Sequence, residues 1–298
     1  MSETPLVYVV LVNWNSVADT AECLDSLVGL CGDVPRAIVV DNGSSDGSVE
    51  RLTERFHGLC VIEAGGNLGF AGGANLGLEA AMAAGADFVW LLNNDTTVDP
   101  GALDFLLSCA AERPGAGMLG SKILYHGRPD TIWFAGGVID PFRAGYPRHV
   151  GADQPDDGRF GEIKPVQFLS GCSLLVRRSV IEQIGLLRDD YFMYWEDVDW
   201  CARAIAAGWQ CLYVPESRIL HKVSASLRGT GHLDLRYETR NRLDYFRRND
   251  PSRYRSVLLW TLRDVAVLCA RGRWANAGAR LAGVNDFLCG RMGRIAAG

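Results

Sequence analysis

The sequence predicts an α/β protein with a mostly parallel central sheet and a C-terminal helical extension. Three observations carry this. Short apolar, β-rich runs alternate with helix-patterned stretches over the first 113 residues, as in right-handed βαβ units. Three of the first four runs end in clusters of Asn, Asp or Gly, as strands do when their carboxyl ends open into a ligand crevice. From residue 233 onward the pattern is helical and does not return to strands.

The elements follow in order. Residues 6–12 form the first predicted strand and run into Asn13-Trp14-Asn15-Ser16, where Ser16 is placed to cap a helix carrying Val17, Leu24 and Leu27. Residues 37–40 form a second strand, ending in Asp41-Asn42-Gly43-Ser44-Ser45-Asp46, and a helix over 49–56 follows. Residues 60–63 form a third strand. A glycine-rich stretch over 65–75 then opens an Ala-rich helix that ends near Gly85. Residues 88–92 form a fourth strand that stops at Asn93-Asn94-Asp95. After Pro114 the alternation breaks: 117–125, 131–139 and 166–176 read as strands, 179–184 and 197–207 as helices, and 210–214 as a last strand.

Composition bounds the function. A chain of 298 residues with 48% hydrophobic content and 34 glycines can bury a full core. No apolar run approaches the ~18 residues of a spanning helix. The first five residues lack the features of a signal peptide. Nine cysteines without a CxxC pair read as reduced residues of a cytosolic protein. The net charge of −5 is uneven: from Arg236 onward there are thirteen Arg, no Lys and five acidic residues. The acidic body argues against a nucleic-acid partner. In the tail, Tyr237, Leu243, Tyr245 and Phe246 interleave with Arg236, Arg240, Arg242, Arg247 and Arg248. Such helices suit peripheral contact with an anionic membrane surface, or packing on the body or on a second subunit of a homo-oligomer.

Several clusters carry chemistry. Asn93 and Asp95 are two apart and point the same way on an extended backbone. One carboxylate with amide oxygens suits a hard divalent cation already carrying phosphates, although such a triplet alone is equally a turn. The glycine-rich stretch lets backbone approach a phosphate at a helix start. It lacks the Lys-Ser/Thr of a P-loop and the GxGxxG of a dinucleotide site, and tight helix packing is the other explanation. The segment Tyr191–Trp200 holds five aromatics beside Glu196, Asp197 and Asp199. Acids at a helix start complement its dipole. A carboxylate walled by aromatics is in addition a candidate general base, its pKa raised from ~3.9 by burial. His221, after the last predicted strand, could join Asp95 in a shell suited to Mg²⁺ or Mn²⁺.

Val12-Asn-Trp-Asn15, Asp41-Asn-Gly-Ser-Ser-Asp46, Asn67-Leu-Gly-Phe70-Ala-Gly-Gly73-Ala-Asn75, Asn93-Asn-Asp95, Ser170-Gly171-Cys172-Ser173 and Trp195-Glu196-Asp197 occur in that order. Over about residues 6–249 the ordered set resembles the family-2 glycosyltransferases of GT-A fold, especially their rhamnosyltransferase-like branch. The resemblance implies a GT-A catalytic domain over 1–232, its nucleotide-sugar half at 1–113 and its acceptor half at 114–232, followed by the arginine-rich extension 233–298. It implies that Asp41 contacts the nucleotide base, and that Asn13, Asn15, Asn42, Asn67, Gly69, Phe70, Gly73, Asn75, Asn93 and Asn94 line the donor site. Asp95 and His221 would hold Mg²⁺ or Mn²⁺, Asp197 would be the catalytic base, and Gly171, Cys172, Trp195 and Glu196 would meet the acceptor. The activity implied is inverting, metal-dependent transfer of a sugar, rhamnose from dTDP-rhamnose with UDP-sugars as the alternative donors, to a saccharide or lipid-linked hydroxyl in bacterial cell-surface polysaccharide synthesis. The location implied is the cytoplasm, or the inner face of the plasma membrane. One departure is Asn93, where many relatives carry Asp, which lowers the negative charge offered to a metal. A degenerate, non-catalytic sugar-nucleotide binder is the alternative. A pyrophosphorylase would carry a Lys- or Arg-bearing glycine loop where Asn13-Trp14-Asn15 stands.

Overall fold

The computed structural model describes residues 4–28, 36–140, 145–223 and 232–295. The chain runs β1 (Val7–Asn13), α1 (Val17–Leu27), β2 (Ala37–Asp41), α2 (Ser48–Arg55), β3 (Cys60–Glu63), α3 (Gly69–Ala83), β4 (Phe88–Asn93), β5 (Thr96–Val98), α4 (Ala102–Glu112) and β6 (Ala116–Tyr125). It continues through β7 (Arg128–Phe134), β8 (Gly137–Ile139), β9 (Pro147–His149), β10 (Lys164–Pro165), β11 (Ser173–Arg177), α5 (Arg178–Ile184), α6 (Glu196–Ala206) and β12 (Gln210–His221). Three helices close it: α7 (His232–Asn249), α8 (Pro251–Ala270) and α9 (Trp274–Leu288).

The main sheet has the order β10-β12-β6-β11-β4-β1-β2-β3, with β5 added on β12 and β7 on β6. Strands β3, β2, β1 and β4 are parallel. The inner three, β2, β1 and β4, read as near-continuous apolar runs because both faces are covered, β2 being buried at all five positions, whereas the edge strand β3 is partly exposed. The chain leaves β1 toward β2 and β3, then crosses to β4 on the other flank. The topological switch therefore lies between β1 and β4, where the carboxyl ends of strands leave a crevice. On the far side β11 runs antiparallel to both β4 and β6, which makes the sheet mixed.

Helix α3 lies close on β1 because it presents glycines to it. A Cβ on Gly77 would collide with Val10, and one on Gly73 would stand 2.9 Å from Val12 Cγ1. Gly73 thus serves the packing of α3 on β1. Helix α1 begins where Ser16 predicted, but the Ser16 hydroxyl donates to Asp19 Oδ2 (2.8 Å) instead of capping a backbone N–H.

Several boundaries differ from the sequence expectation. The stretch 131–139 is two strands, parted at Gly136, whose φ is +98°. Of the expected strand 166–176 only 173–176 is extended ladder, within β11, which ends at Arg177. The last strand passes its expected end at Val214 and runs on to His221. Pro215 hides this continuation: the pairing of β12 with β6 shifts register between Val214 and Arg218, and a bulge accommodates a proline that a regular ladder would reject. Helix α4 and strand β5 had no counterpart in the sequence reading. Eight of the nine cysteines are free thiols, and Cys31 lies outside the described residues.

Candidate active site

Strands β1 and β4 end side by side, with Val12 opposite Asn93. At the end of β1, Asn13 is fully buried and donates to Asp41 Oδ1 (2.8 Å) and Ser44 Oγ (3.1 Å). Its amide oxygen Oδ1 accepts from Thr20 Oγ1 (2.7 Å), which accepts in turn from Asn94 Nδ2 (2.8 Å). The other Asp41 oxygen accepts from the Ser44 N–H at 2.9 Å. Asn15, at φ +50°, accepts from the Ser45 N–H (2.7 Å). One polar rim therefore links the ends of β1, β2 and β4. Asn13 and Asn15 brace the 41–46 loop that presents Asp41.

The glycine-rich loop is tied to this rim. Asn42 accepts from the Leu68 N–H (3.0 Å) and donates to the Gly69 carbonyl (2.9 Å), while Asn67 Oδ1 accepts from the Gly69 N–H (2.9 Å). Gly69 has φ +76°, and a side chain there would collide with the Phe192 carbonyl. Its lack of a side chain admits the aromatic loop that precedes α6. Two further residues expected at the donor site have structural partners of their own. Asn75 donates to the Leu187 carbonyl (2.9 Å) and accepts from its N–H (3.1 Å), so its amide clamps α3 to that segment. The Phe70 ring lies against Gly171, which also neighbours the Asp197 side chain, and so stands on the base side.

The second part of the site is made by register. Strand β5 pairs antiparallel with β12, with Thr96 opposite His221. Asp95, one residue before Thr96, is thereby carried to the end of β12. His221 Nε2 lies 3.1 Å from Asp95 Oδ1, and both side chains are largely buried. His221 is the last residue of a strand, not part of a following loop. Its Nδ1 has no hydrogen-bond partner, and the Trp133 ring stands edge-on to it at 4.7 Å. Two donors at ~2.1 Å on neighbouring corners of an octahedral shell stand ~3 Å apart, so this pair fits Mg²⁺ or Mn²⁺. Among the described residues no three His, Cys, Asp or Glu group to hold an ion unaided. The remaining corners would fall to water and to ligand oxygens, as is usual for a cation that carries phosphates.

The third part is the start of α6. Asp197 Oδ2 accepts from the Gly171 N–H (3.0 Å) and Oδ1 from the Val198 N–H (2.8 Å). The next carbonyl along, that of Cys172, accepts from the Asn93 N–H at 3.0 Å. A two-residue segment thus joins the base candidate to the end of β4. Burial raises the Asp197 carboxyl above its ordinary range, against the two N–H groups that favour its charge. Gly171 serves Asp197 through its backbone. Three acceptor-site expectations change. The Trp195 ring is 3% exposed and packs on Tyr245 (5.0 Å between centroids), so it offers no face to a sugar. Cys172 is buried, with a thiol pushed well above its usual range by burial. Glu196 is also buried, and its Oε2 has no hydrogen-bond partner.

Burial, and then the neighbouring charge of Asp197, push the Glu196 carboxyl up. A carboxyl whose folded pKa is raised stabilises the fold while protonated. That contribution is complete below its ordinary value of 4.5 and is lost as pH climbs through the raised value. Glu196→Gln is uncharged at every pH. Its melting temperature is expected to hold between about pH 5 and about pH 8 while that of the parent falls; parallel melting curves would remove Glu196 from this role.

The sequence reading missed Trp133, the edge-on neighbour of His221. It also missed Asn241, and it read Arg240 as a tail arginine for membrane or subunit contact; both hold the aromatic loop before α6. Asn241 Nδ2 lies 2.8 Å from the carbonyls of both Met193 and Tyr194 and 3.1 Å from that of Tyr191. Trp133 was within reach, as a tryptophan in the strand-patterned stretch 131–139; the roles of the other two show only in the fold.

The family model described as Glycosyl transferase family 2 matches residues 8–185, more than half of the chain. The chain belongs to glycosyl transferase family 2. An N-acetylglucosaminyl-diphospho-decaprenol L-rhamnosyltransferase from Mycobacterium tuberculosis is 32% identical over 245 residues, covering 76% of this chain and 79% of its own. Among solved structures, a mannosyltransferase from Pyrobaculum calidifontis in complex with GDP-Man and Mn²⁺ superposes with a TM-score of 0.59. It is 16% identical and covers 97% of this chain and 89% of its own. GalNAc-T7 with UDP, GalNAc and Mn²⁺ superposes at 0.64 with 15% identity, and this glycosyltransferase spans 48% of that longer chain. The two structures share its GT-A fold.

Proposed function

We propose that the enzyme transfers rhamnose from dTDP-rhamnose to a hydroxyl of a saccharide or lipid-linked acceptor, with inversion, in cell-surface polysaccharide synthesis. The observation that carries this is the pairing of a raised carboxylate, Asp197, with an Asp95–His221 corner across the 171–172 segment. The name of the mycobacterial relative, a rhamnosyltransferase acting on a diphospho-decaprenol sugar, supports the donor sugar and a lipid-linked acceptor. In this reading residues 1–113 hold the donor, 114–232 the acceptor, and 233–298 form the helical extension. The enzyme works in the cytoplasm, against the inner face of the plasma membrane.

Asp41 meets the nucleotide base from the braced loop, and the rim from Asn13 to Asn94 shapes the floor beneath it. Asn67 and the loop backbone stand beside the diphosphate. Asp95 and His221 hold Mg²⁺ or Mn²⁺, which when bound neutralises charge developing on the departing diphosphate. Asp197 takes the proton of the acceptor hydroxyl as its oxygen attacks the anomeric carbon from the face opposite the leaving group. The N–H groups of Gly171 and Val198 keep that carboxylate aimed. No covalent link between sugar and protein is required.

Calorimetric titration of dTDP, UDP and GDP, each with and without Mn²⁺, tests the donor site. Tight binding of dTDP that needs Mn²⁺, and that Asp95→Asn weakens by ~10-fold or more, is expected. Binding of UDP in preference would move the donor to a UDP-sugar. Absence of binding by all three to a folded protein would favour the degenerate binder, for which Asn93 in place of an acid is the motive.

A further inference from the structure

We propose that the outward face of α8, with the turn into α9, is a docking surface for an anionic lipid bilayer. The inference rests on the lipid-linked acceptor of the preceding reading for its purpose, but its evidence is separate. Helix α7 is not that surface. Tyr237, Leu243, Tyr245 and Phe246 are buried against the body, as are Arg240 and Arg242. The apolar and aromatic side chains that look most lipid-directed in the sequence are therefore interior, and Arg247 and Arg248, the exposed arginines of α7, pair with Asp244.

Helix α8 is different. Val257, Thr261 and Val265, spaced by four, are its buried line. The opposite line carries Arg255, Leu259, Leu262, Arg263 and Ala266. Leu259 is 67% exposed and Leu262 42%. Beside them Trp260 is 40% exposed, with the Arg263 guanidinium 4.3 Å over its ring. The turn adds exposed Arg271 and Arg273, and then Trp274 at 68% exposure. This combination of leucines, interface-seeking tryptophans and arginines with long apolar stems suits the boundary between headgroups and acyl chains.

Charge selects the occupant. Between residues 251 and 295 the sequence has two carboxylates, Asp264 and Asp286. Asp264 faces the Tyr146 hydroxyl (3.4 Å), and Asp286 is buried between Arg236 and Arg291. The outward face is thus cationic and apolar without a compensating acid. A second copy seated on it by two-fold symmetry would set arginine against arginine. An anionic leaflet supplies the missing charge across the whole face. None of the described helices is long and apolar enough to cross a membrane, so α8 lies along the surface.

Flotation of the full chain with phosphatidylcholine vesicles, and with vesicles holding about 30% phosphatidylglycerol, tests this. The protein is expected to float with the anionic vesicles only, and less as salt rises. Combined Arg255→Ala, Arg263→Ala, Arg271→Ala and Arg273→Ala should lower partitioning roughly fivefold per arginine. Trp260→Ser with Trp274→Ser should lower it further. Unchanged nucleotide diphosphate binding by these variants would show that the donor half still folds. Equal binding to neutral vesicles, no flotation, or insensitivity to the substitutions would overturn the proposal. So would a dimer, seen by sedimentation, that the same substitutions abolish without vesicle binding. Flotation with no sugar transfer would leave the docking surface standing and remove the functional reading. Transfer to a water-soluble acceptor without flotation would do the reverse.

Discussion

Replacing Asp197 by Asn is expected to lower kcat by about 10²–10⁴-fold, the usual contribution of a positioned general base, while nucleotide diphosphate binding changes by less than about threefold. The separation follows from the architecture. The polar rim is built from the ends of β1, β2 and β4 and from α1, whereas Asp197 is held by Gly171 and by its own helix. An amide cannot take the hydroxyl proton. It also has one acceptor oxygen where two N–H groups point, so either the Gly171 or the Val198 N–H loses its partner, at about 1–3 kcal/mol. A modest fall in melting temperature should therefore accompany the loss of turnover. The parent rate should rise with pH as Asp197 ionises, with its acid limb above the ordinary Asp range because burial raises that carboxyl. Retention of more than roughly a tenth of parental turnover by the variant, with normal folding, would remove Asp197 as the base.

What the sequence made legible was the local half of the site. Asn13, Asp41 and Asn93 stand where apolar runs stop, and in an open sheet strand ends are also site positions. That is why the crevice could be read without coordinates. Long-range register was not legible. Asp95 and His221 meet because β5 adds antiparallel to β12, and Pro215 concealed the strand that carries His221. Residue type also misled where packing decides. Asn75 has the chemistry of a ligand contact, but the turn at Leu187 takes both ends of its amide. Trp195 has the face for a sugar, but Tyr245 and Phe246 cover it. Arg240 and Asn241 look like surface residues of a polar helix, and their burial becomes intelligible only with the carbonyls they meet.

Those carbonyls make Asn241→Ala the second substitution with a large expected effect: a fall in kcat of ~10-fold or more with little change in nucleotide affinity. Phe192, Tyr194 and Trp195 have φ of 66°, 68° and 78°. Non-glycine residues in the left-handed region cost about 1–3 kcal/mol each and persist only where surroundings enforce them. Enforcement here comes from α7. Asn241 Nδ2 meets the three loop carbonyls, and Arg240 donates to that of Tyr191 at 2.9 Å. The loop leads directly into Glu196 and Asp197, and on its other side its Phe192 carbonyl rests on Gly69. Removing the amide leaves buried carbonyls short of a donor and lets the strained turns relax, and a shift of about 1 Å at a general base can cost ~10²-fold. A purely structural role would lower stability and leave kcat alone, so a control on the same helix is needed. Arg236→Ala breaks the pair with Asp286 that ties α7 to α9, away from the loop, and should lower melting temperature without a comparable fall in kcat. If Asn241→Ala and Arg236→Ala lose stability alike and both keep parental turnover, the extension supports the fold and does not aim the base.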